Sequence, residues 1–358
     1  MNRFILPILL FLLTFNLYAE DKYQIGILNP SSGKFQDYGA NCLKGYQEAM
    51  TQLNPATKEK LQFIFEDDQS TVQGGLNAFH KILREKNLIA SFLLGSHIGV
   101  AINPLSNKNK LPVFGLSGHP DFLTNNEYSF GFWFDSKSEA QLISKYILDK
   151  KFQKIAIFTL ESDFSIYNRK FLKSFIEGKD VEIVFDEIVY NETDYRTLIT
   201  KLKSKKPDII FLNVAAENFY LIAKQLYEQS ITTQKITVTA SATEKYFRLA
   251  GDSKATDNTI VYVIDYAQKY ILKKPIIKDS PLPAYVYGCY MGMKFLLTEV
   301  EKLLAHNNLS KETLYWNLLD TKELVIDGIK TPIKDRRIEH QLKPFTVKDY
   351  KLVPVDRF

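Results

Sequence analysis

The chain has 358 residues, of which 45% are hydrophobic and 24% charged, and carries a net charge of +5. That composition excludes a disordered or low-complexity chain, and the length exceeds what one hydrophobic core usually serves, so two lobes of about 100 to 200 residues each are expected. The small positive surplus is dispersed in short runs such as 203–206 and 334–337, which excludes a nucleic-acid surface.

Residues 1–19 read as a secretory leader. Arg3 supplies the positive start, 4–15 is an almost unbroken apolar run, and Ala19 places a small residue before Glu20 and Asp21. The run is shorter than the roughly 20 apolar residues a membrane span needs. Cleavage after Ala19 and export of a soluble mature chain are therefore expected. The two cysteines, Cys42 and Cys289, show no metal or redox spacing. In an oxidising compartment they could pair, and two buried free thiols are the alternative.

An apolar run at 23–28 enters a polar loop and reads as a buried strand, followed by a helix from Gly39 with apolar residues at helical spacing. The unit repeats with a strand at 61–65 and a helix at 74–86. A strand at 89–94 then leads to a short helix at 100–108, and a fourth strand spans 112–116. The rhythm resumes with helices at 138–148, 167–176, 195–203 and 219–228 between strands at 154–159, 182–190, 208–212 and 236–239. It breaks after a strand at 260–264, giving way to a long amphipathic helix at 284–306, a helix opening near Ser310, and β-like segments at 343–347 and 350–355. Strands alternating with helices imply parallel sheets covered on both faces, so the fold class is α/β, with two doubly wound lobes in series.

Catalytic constellations do not assemble from this sequence. Gly115-Leu116-Ser117-Gly118-His119 lacks the Gly-x-Ser-x-Gly elbow of a serine hydrolase. His80, His97, His119, His306 and His340 never take the spacing of a zinc pair on a helix. Glu66-Asp67-Asp68 lacks the ladder of oxygens that a calcium loop supplies, and reads instead as a strand end whose Asp68 or Ser70 caps the next helix. Gly74-Gly75 lies at a helix start without a phosphate-loop pattern. No enzyme, metal or cofactor is expected. Polar and aromatic residues remain at the carboxyl ends of the strands, where doubly wound sheets bind ligands. Those are Tyr38, Ser96, His97, Ser117 and His119 in the first lobe, and Phe164 with residues 213–217 in the second.

In order and spacing these segments resemble the periplasmic substrate-binding proteins of branched-chain amino acid and amide ABC transporters, of the leucine-binding type. The residues that carry the resemblance are Ile25-Gly26-Ile27-Leu28 with Tyr38-Gly39, Phe65-Glu66-Asp67-Asp68, Leu94-Gly95-Ser96, and Leu111 through Ser117. Lys154 through Phe158 with Asp163-Phe164, Asp194-Tyr195 before Pro207-Asp208, and the helix opening at Ala284-Tyr285 complete it. The resemblance implies a type I, Venus-flytrap fold: two lobes joined by a three-segment hinge, closing on a small ligand that is handed to a membrane permease. It further implies a periplasmic location, a monomeric working state, no cofactor and no covalent chemistry. The crossings would fall near 133–136, 264–268 and 329–333, giving one lobe from 20–134 with 267–330 and another from 135–266 with 331–358. The same fold also serves receptors, so a ligand-responsive sensor or envelope partner-binding protein stays open as an alternative.

Carried over residue by residue, the ring that packs on the ligand falls on Tyr38. A serine that holds the ligand carboxylate falls on Gly99, with Ser96 and His97 nearby, and the rest of that pocket falls on Ser117, Gly118 and His119. Two tyrosines of the second lobe become Phe164 and Ala215. The acid that pairs with a ligand ammonium falls at 239–241, which holds none, and Glu244 is the nearest substitute. A buried charge deprived of its partner costs about 3 to 5 kcal/mol, or about two to four decades of affinity. The expected ligand is therefore a carboxylate- or amide-bearing small molecule, with an aromatic group for Tyr38 to stack on, rather than a standard α-amino acid. His119 is either a donor in that site or a loop histidine bonding backbone beside Pro120. Trp133 and Phe134 are expected in the core.

Overall fold

The computed structural model describes residues 22–265, 274–326 and 328–355. The leader with its cleavage point, and residues 266–268 of the second expected crossing, lie outside them. Among the described residues no helix is long and apolar enough to cross a membrane.

The chain first builds β1 (Tyr23–Leu28), β2 (Leu61–Glu66), β3 (Leu88–Leu94), β4 (Val113–Leu116) and β5 (Ser129–Gly131). It then passes into a second lobe of β6 (Lys154–Leu160), β7 (Glu182–Val189), β8 (Ile209–Asn213), β9 (Gln234–Thr237) and β10 (Ile260–Ile264). It returns for β11 (Glu323–Ile326), β12 (Ile329–Lys334) and β13 (Arg337–Ile338), and ends in the second lobe with β14 (Leu342–Lys348) and β15 (Lys351–Pro354). The sheet orders are β11-β12-β13-β5-β4-β3-β1-β2 and β15-β14-β10-β9-β8-β6-β7. β1 to β5 pair in parallel, as do β6 to β10, and the late strands add antiparallel edges. In each sheet the order reverses beside the first strand, between β1 and β3 and between β6 and β8, and the loops leaving those pairs frame the cleft.

Both faces of each sheet are covered, as the alternation of strand side chains requires. In β3, Phe92 packs with Phe114, Phe130 and Phe132, while its neighbour Leu93 points the other way onto Ile98 and Ile102. In β6, Ala156 and Phe158 face one cluster and Ile155 and Ile157 the other. The helix Gln36–Thr51, which carries Tyr38, lies against the long helix Pro283–Ala305. A side chain at Gly45 would strike the Val286 carbonyl at 2.2 Å, so only glycine permits this approach. Cys42 and Cys289 join the same two helices in a disulfide with a Cα separation of 5.2 Å, which settles the open pairing.

The tail departs from expectation. The hairpin of β12 and β13 extends the first sheet, with Arg337 paired in parallel to Gly131, so the third passage lies between Ile338 and Leu342 rather than at 329–333. The lobe boundary drawn at 330 moves with it. Two arginines explain the placement. Arg336 donates to the carbonyls of Leu123 at 2.6 Å and Ser129 at 3.1 Å, and buried Arg337 donates to those of Ser117 at 3.0 Å and Trp133, all in the first lobe or at its edge. The helix Val72–Ile82 is capped by Thr71, whose hydroxyl accepts the Gly74 N–H at 2.9 Å, and not by Asp68 or Ser70.

Candidate functional site

Two loops leave the switch point of each lobe. After β1 the chain bends through Phe35 into the helix that exposes Tyr38 to the cleft, and after β3 it bends at Gly95 into the helix Ser96–Asn109. Gly95 has a φ of 112°, a left-handed conformation that suits glycine and lets that helix start abruptly. Across the gap, Ser162 caps the helix Asp163–Ile176, and Ala215 precedes the helix Ala216–Glu228.

Between these four helix starts lies a cavity of about 120 Å3 with walls from both lobes. Most of its surface is aromatic or aliphatic. A belt of rings runs from lobe to lobe: Tyr38 meets Tyr285 edge-on at 4.7 Å, Tyr285 meets Trp133 at 4.9 Å, and Trp133 meets Phe134 at 4.8 Å. Phe134 then faces Phe164 of the second lobe at 6.2 Å. Leu94, Leu116, Leu160, Val214, Val238 and Ala240 fill the remaining walls. Polar contributions are few: Ser96, His97, Ser162, Asp163 and Ser165. The first-turn N–H groups of the Ser96 helix have no side-chain cap and favour an anion, whereas in the Asp163 helix the Ser165 N–H is taken by the Ser162 hydroxyl and Asp163 occupies the first turn. Burial pushes the His97 imidazole below its ordinary value, so it stands neutral near pH 7.

A second cavity, of about 140 Å3, adjoins the first and shares Phe35, Tyr38, Leu160, Ser162 and Ala215 with it. Its own walls are Lys34, Glu161, Tyr190, Asn191 and Glu217. Glu217, in the first turn of its helix, accepts a hydrogen bond from the Tyr38 hydroxyl at 3.2 Å and one from the Tyr246 hydroxyl at 2.6 Å. Tyr38 belongs to the first lobe and Glu217 to the second, so this carboxylate links the lobes. Burial raises the Tyr38 phenol well above its usual range, and keeps it a donor.

Tyr38, Ser96, His97, Gly118, Phe164 and Ala215 thus meet at the inner cavity. The other expected residues point elsewhere. Gly99 faces inward, where a side chain would meet Phe122 at 2.9 Å. Ser117 is fully buried behind the site, its carbonyl held by Arg337. His119 takes the structural role: its Nδ1 accepts the Asp121 N–H at 3.1 Å and its ring packs on Tyr167 at 4.1 Å. Glu244 is exposed at the start of its helix and lines neither cavity. Thr239 and Ser241 spend their hydroxyls on the carbonyls of Tyr262 and Val214. Trp133 and Phe134, expected in the core, are buried and also line the site. Tyr285 is not among the expected site residues, and Glu217 is expected at the cleft only as the end of the segment 213–217. Tyr285 comes from a helix some 250 residues beyond Tyr38, and Glu217 stood at the end of a loop with nothing to set it apart. Among the described residues no group of three or more His, Cys, Asp or Glu could hold a metal.

Comparison with known proteins agrees with the two-lobed fold. The family model described as periplasmic binding protein matches residues 22–343. The chain is 23% identical over 330 residues to the Leu/Ile/Val-binding protein BraC3 of Rhizobium johnstonii, covering 87% of each. Among solved structures it is similar to a leucine-binding protein of Thermotoga maritima, at a TM-score of 0.78 and 17% identity, covering 93% of this chain and 97% of that one. It is also similar to an ABC transporter solute-binding protein of R. palustris in complex with benzoate, at a TM-score of 0.81 and 13% identity, covering 93% and 95%.

Proposed function

The chain belongs to the periplasmic binding protein family, and from that premise we propose that it captures a small apolar carboxylate between its lobes and delivers it to the permease of an ABC importer. The observation that carries the reading is the inner cavity itself, a ring-lined space built from both lobes with two helix starts on its wall. An apolar cavity of ~150 Å3 holds a benzene ring, so about 120 Å3 suits one ring or a branched aliphatic group of similar bulk. Tyr38, Tyr285, Trp133 and Phe164 pack on that body, while Ser96 and the N–H groups beside it receive the carboxylate. Residues 239–241, where the resemblance places the acid for a ligand ammonium, hold none, and the acid on the inner wall is Asp163 instead. The benzoate complex of the R. palustris neighbour supports an aromatic acid as the first compound to try.

Ligand contacts on both lobes favour the closed form, since only differential affinity shifts a two-state population. Export to the periplasm by the leader at 1–19 would place the closed form where an importer can receive it. The test is titration calorimetry of the chain from Glu20 onward against benzoates, branched aliphatic acids and the standard amino acids. Saturable binding of a benzoate or branched acid, with loss of at least about two decades in Tyr38→Ala, is expected. Binding of an α-amino acid in preference to every simple carboxylate would overturn the ligand assignment.

A further inference from the structure

The outer cavity has no role in holding a single-ring acid, yet it adjoins the inner one and shares Tyr38 and Ala215 with it. We propose that it is a second subsite, one that takes an N–H-donating amine or amide group carried on the distal end of the ligand whose apolar body fills the inner cavity. The inference rests on the aromatic-acid reading above and deepens it.

Three features support it. First, the two cavities adjoin, sharing five wall residues, of which Ala215 has the smallest side chain. Second, the chemistry changes across that boundary. The inner walls are mostly hydrocarbon, whereas the outer ones carry Glu161, Glu217, Asn191, the Tyr190 hydroxyl and Lys34. Two carboxylates against one ammonium give the pocket a negative balance, and the Lys34 ammonium rests over the Phe35 ring at 4.9 Å. Third, Glu217 keeps capacity to spare. A carboxylate has about four acceptor positions, and the phenols of Tyr38 and Tyr246 occupy one on each oxygen. A ligand N–H reaching this carboxylate would join a network that already spans both lobes, and so would add to closure as well as to contact. A ligand of this shape separates its carboxylate from its donor by the length of a ring, which the α-ammonium of an amino acid cannot do.

The experiment compares 4-(aminomethyl)benzoate with 4-ethylbenzoate, which has the same shape and no donor, on the wild type, on Glu161→Gln and on Glu161→Gln/Glu217→Gln, with benzoate as reference. The aminomethyl compound should bind the wild type about tenfold or more tightly than the ethyl compound, and that ratio should fall stepwise toward unity in the two variants. The readout is a ratio within each protein, so a general weakening by Glu217→Gln does not mimic it, and Glu161 sits on an exposed loop where folding is not at stake. Equal or tighter binding of the ethyl compound overturns the subsite, as does a ratio that survives in the double variant. Failure of all three benzoates to bind overturns the aromatic-acid reading itself, and the subsite with it.

Discussion

Glu139 is a carboxyl group whose protonation depends strongly on the fold. It lies in the first turn of the helix Ser136–Asp149, fully buried, where it accepts the Thr239 N–H at 2.7 Å and the Asn168 side-chain N–H at 2.9 Å. Burial outweighs those bonds and pushes its pKa up to about 7. A carboxyl raised in the folded state takes up a proton on folding, so its contribution is complete below the unfolded value near ~4.3 and is lost as pH rises through about 7. Buried His340, pushed down to about 4, has the opposite sign, its contribution being lost as pH falls below the unfolded value near ~6.5. Glu139→Gln keeps the shape and removes the titration. The wild type should therefore lose more melting temperature than the variant on going from pH 5 to pH 8, as read by differential scanning fluorimetry, and parallel slopes would refute the assignment. Nothing in the sequence marked this residue, because its partner Thr239 lies a hundred positions away and the helix pattern around Glu139 reads as an ordinary charged first turn. His119, by contrast, was weighed from sequence in both roles, and the Asp121 N–H decides for the structural one.

Among the elements, the pair of helices Gln36–Thr51 and Pro283–Ala305 does most to position the site. Tyr38 stands four residues before Cys42, and Tyr285 four before Cys289, so each ring lies about one turn from its cysteine on the same helix face. The disulfide therefore fixes the crossing one turn behind the place where the two rings touch at 4.7 Å. Replacing both cysteines by serine should cost about 2 to 4 kcal/mol of stability and weaken ligand binding, measured by chemical denaturation and by calorimetry on the same sample. Unchanged affinity with lowered stability would confine the bond to a stabilising role. Long elements such as these were legible from apolar spacing alone. The elements that escaped were short or late. β5 has three residues and β13 two, below the length at which alternation is visible, and β11 with β12 looks like an exposed tail until Arg336 and Arg337 draw the hairpin onto the first sheet.

At the scale of the whole molecule, the two lobes meet at a contact with no room to spare. Gly118 of the first lobe faces Phe164 of the second, and a Cβ at position 118 would come within 2.5 Å of that ring. The Gly118 carbonyl also accepts the Ser136 backbone and hydroxyl bonds, each at 3.0 Å, at the first passage between lobes. Gly118→Val should hold the lobes apart. Its radius of gyration by small-angle scattering should exceed that of the ligand-saturated wild type, with a melting temperature close to the unliganded one. A compact scattering profile for the variant would show that closure does not bring these residues together. The two-lobed plan was readable from the alternation of strands and helices, and the cleft from the rule that ligands sit at carboxyl ends. The inner cavity's full wall was not, since rings from the crossing at 133–134 and from a helix near the end of the chain complete it.

The strand order has one more consequence. The first described strand, β1, stands in one lobe and the last, β15, in the other, with Lys22 and Lys351 exposed beside them. A donor dye at one and an acceptor at the other would ride on opposite halves of the flytrap, so each capture event could be followed as a change in energy transfer, making the protein an optical reporter of its own cargo.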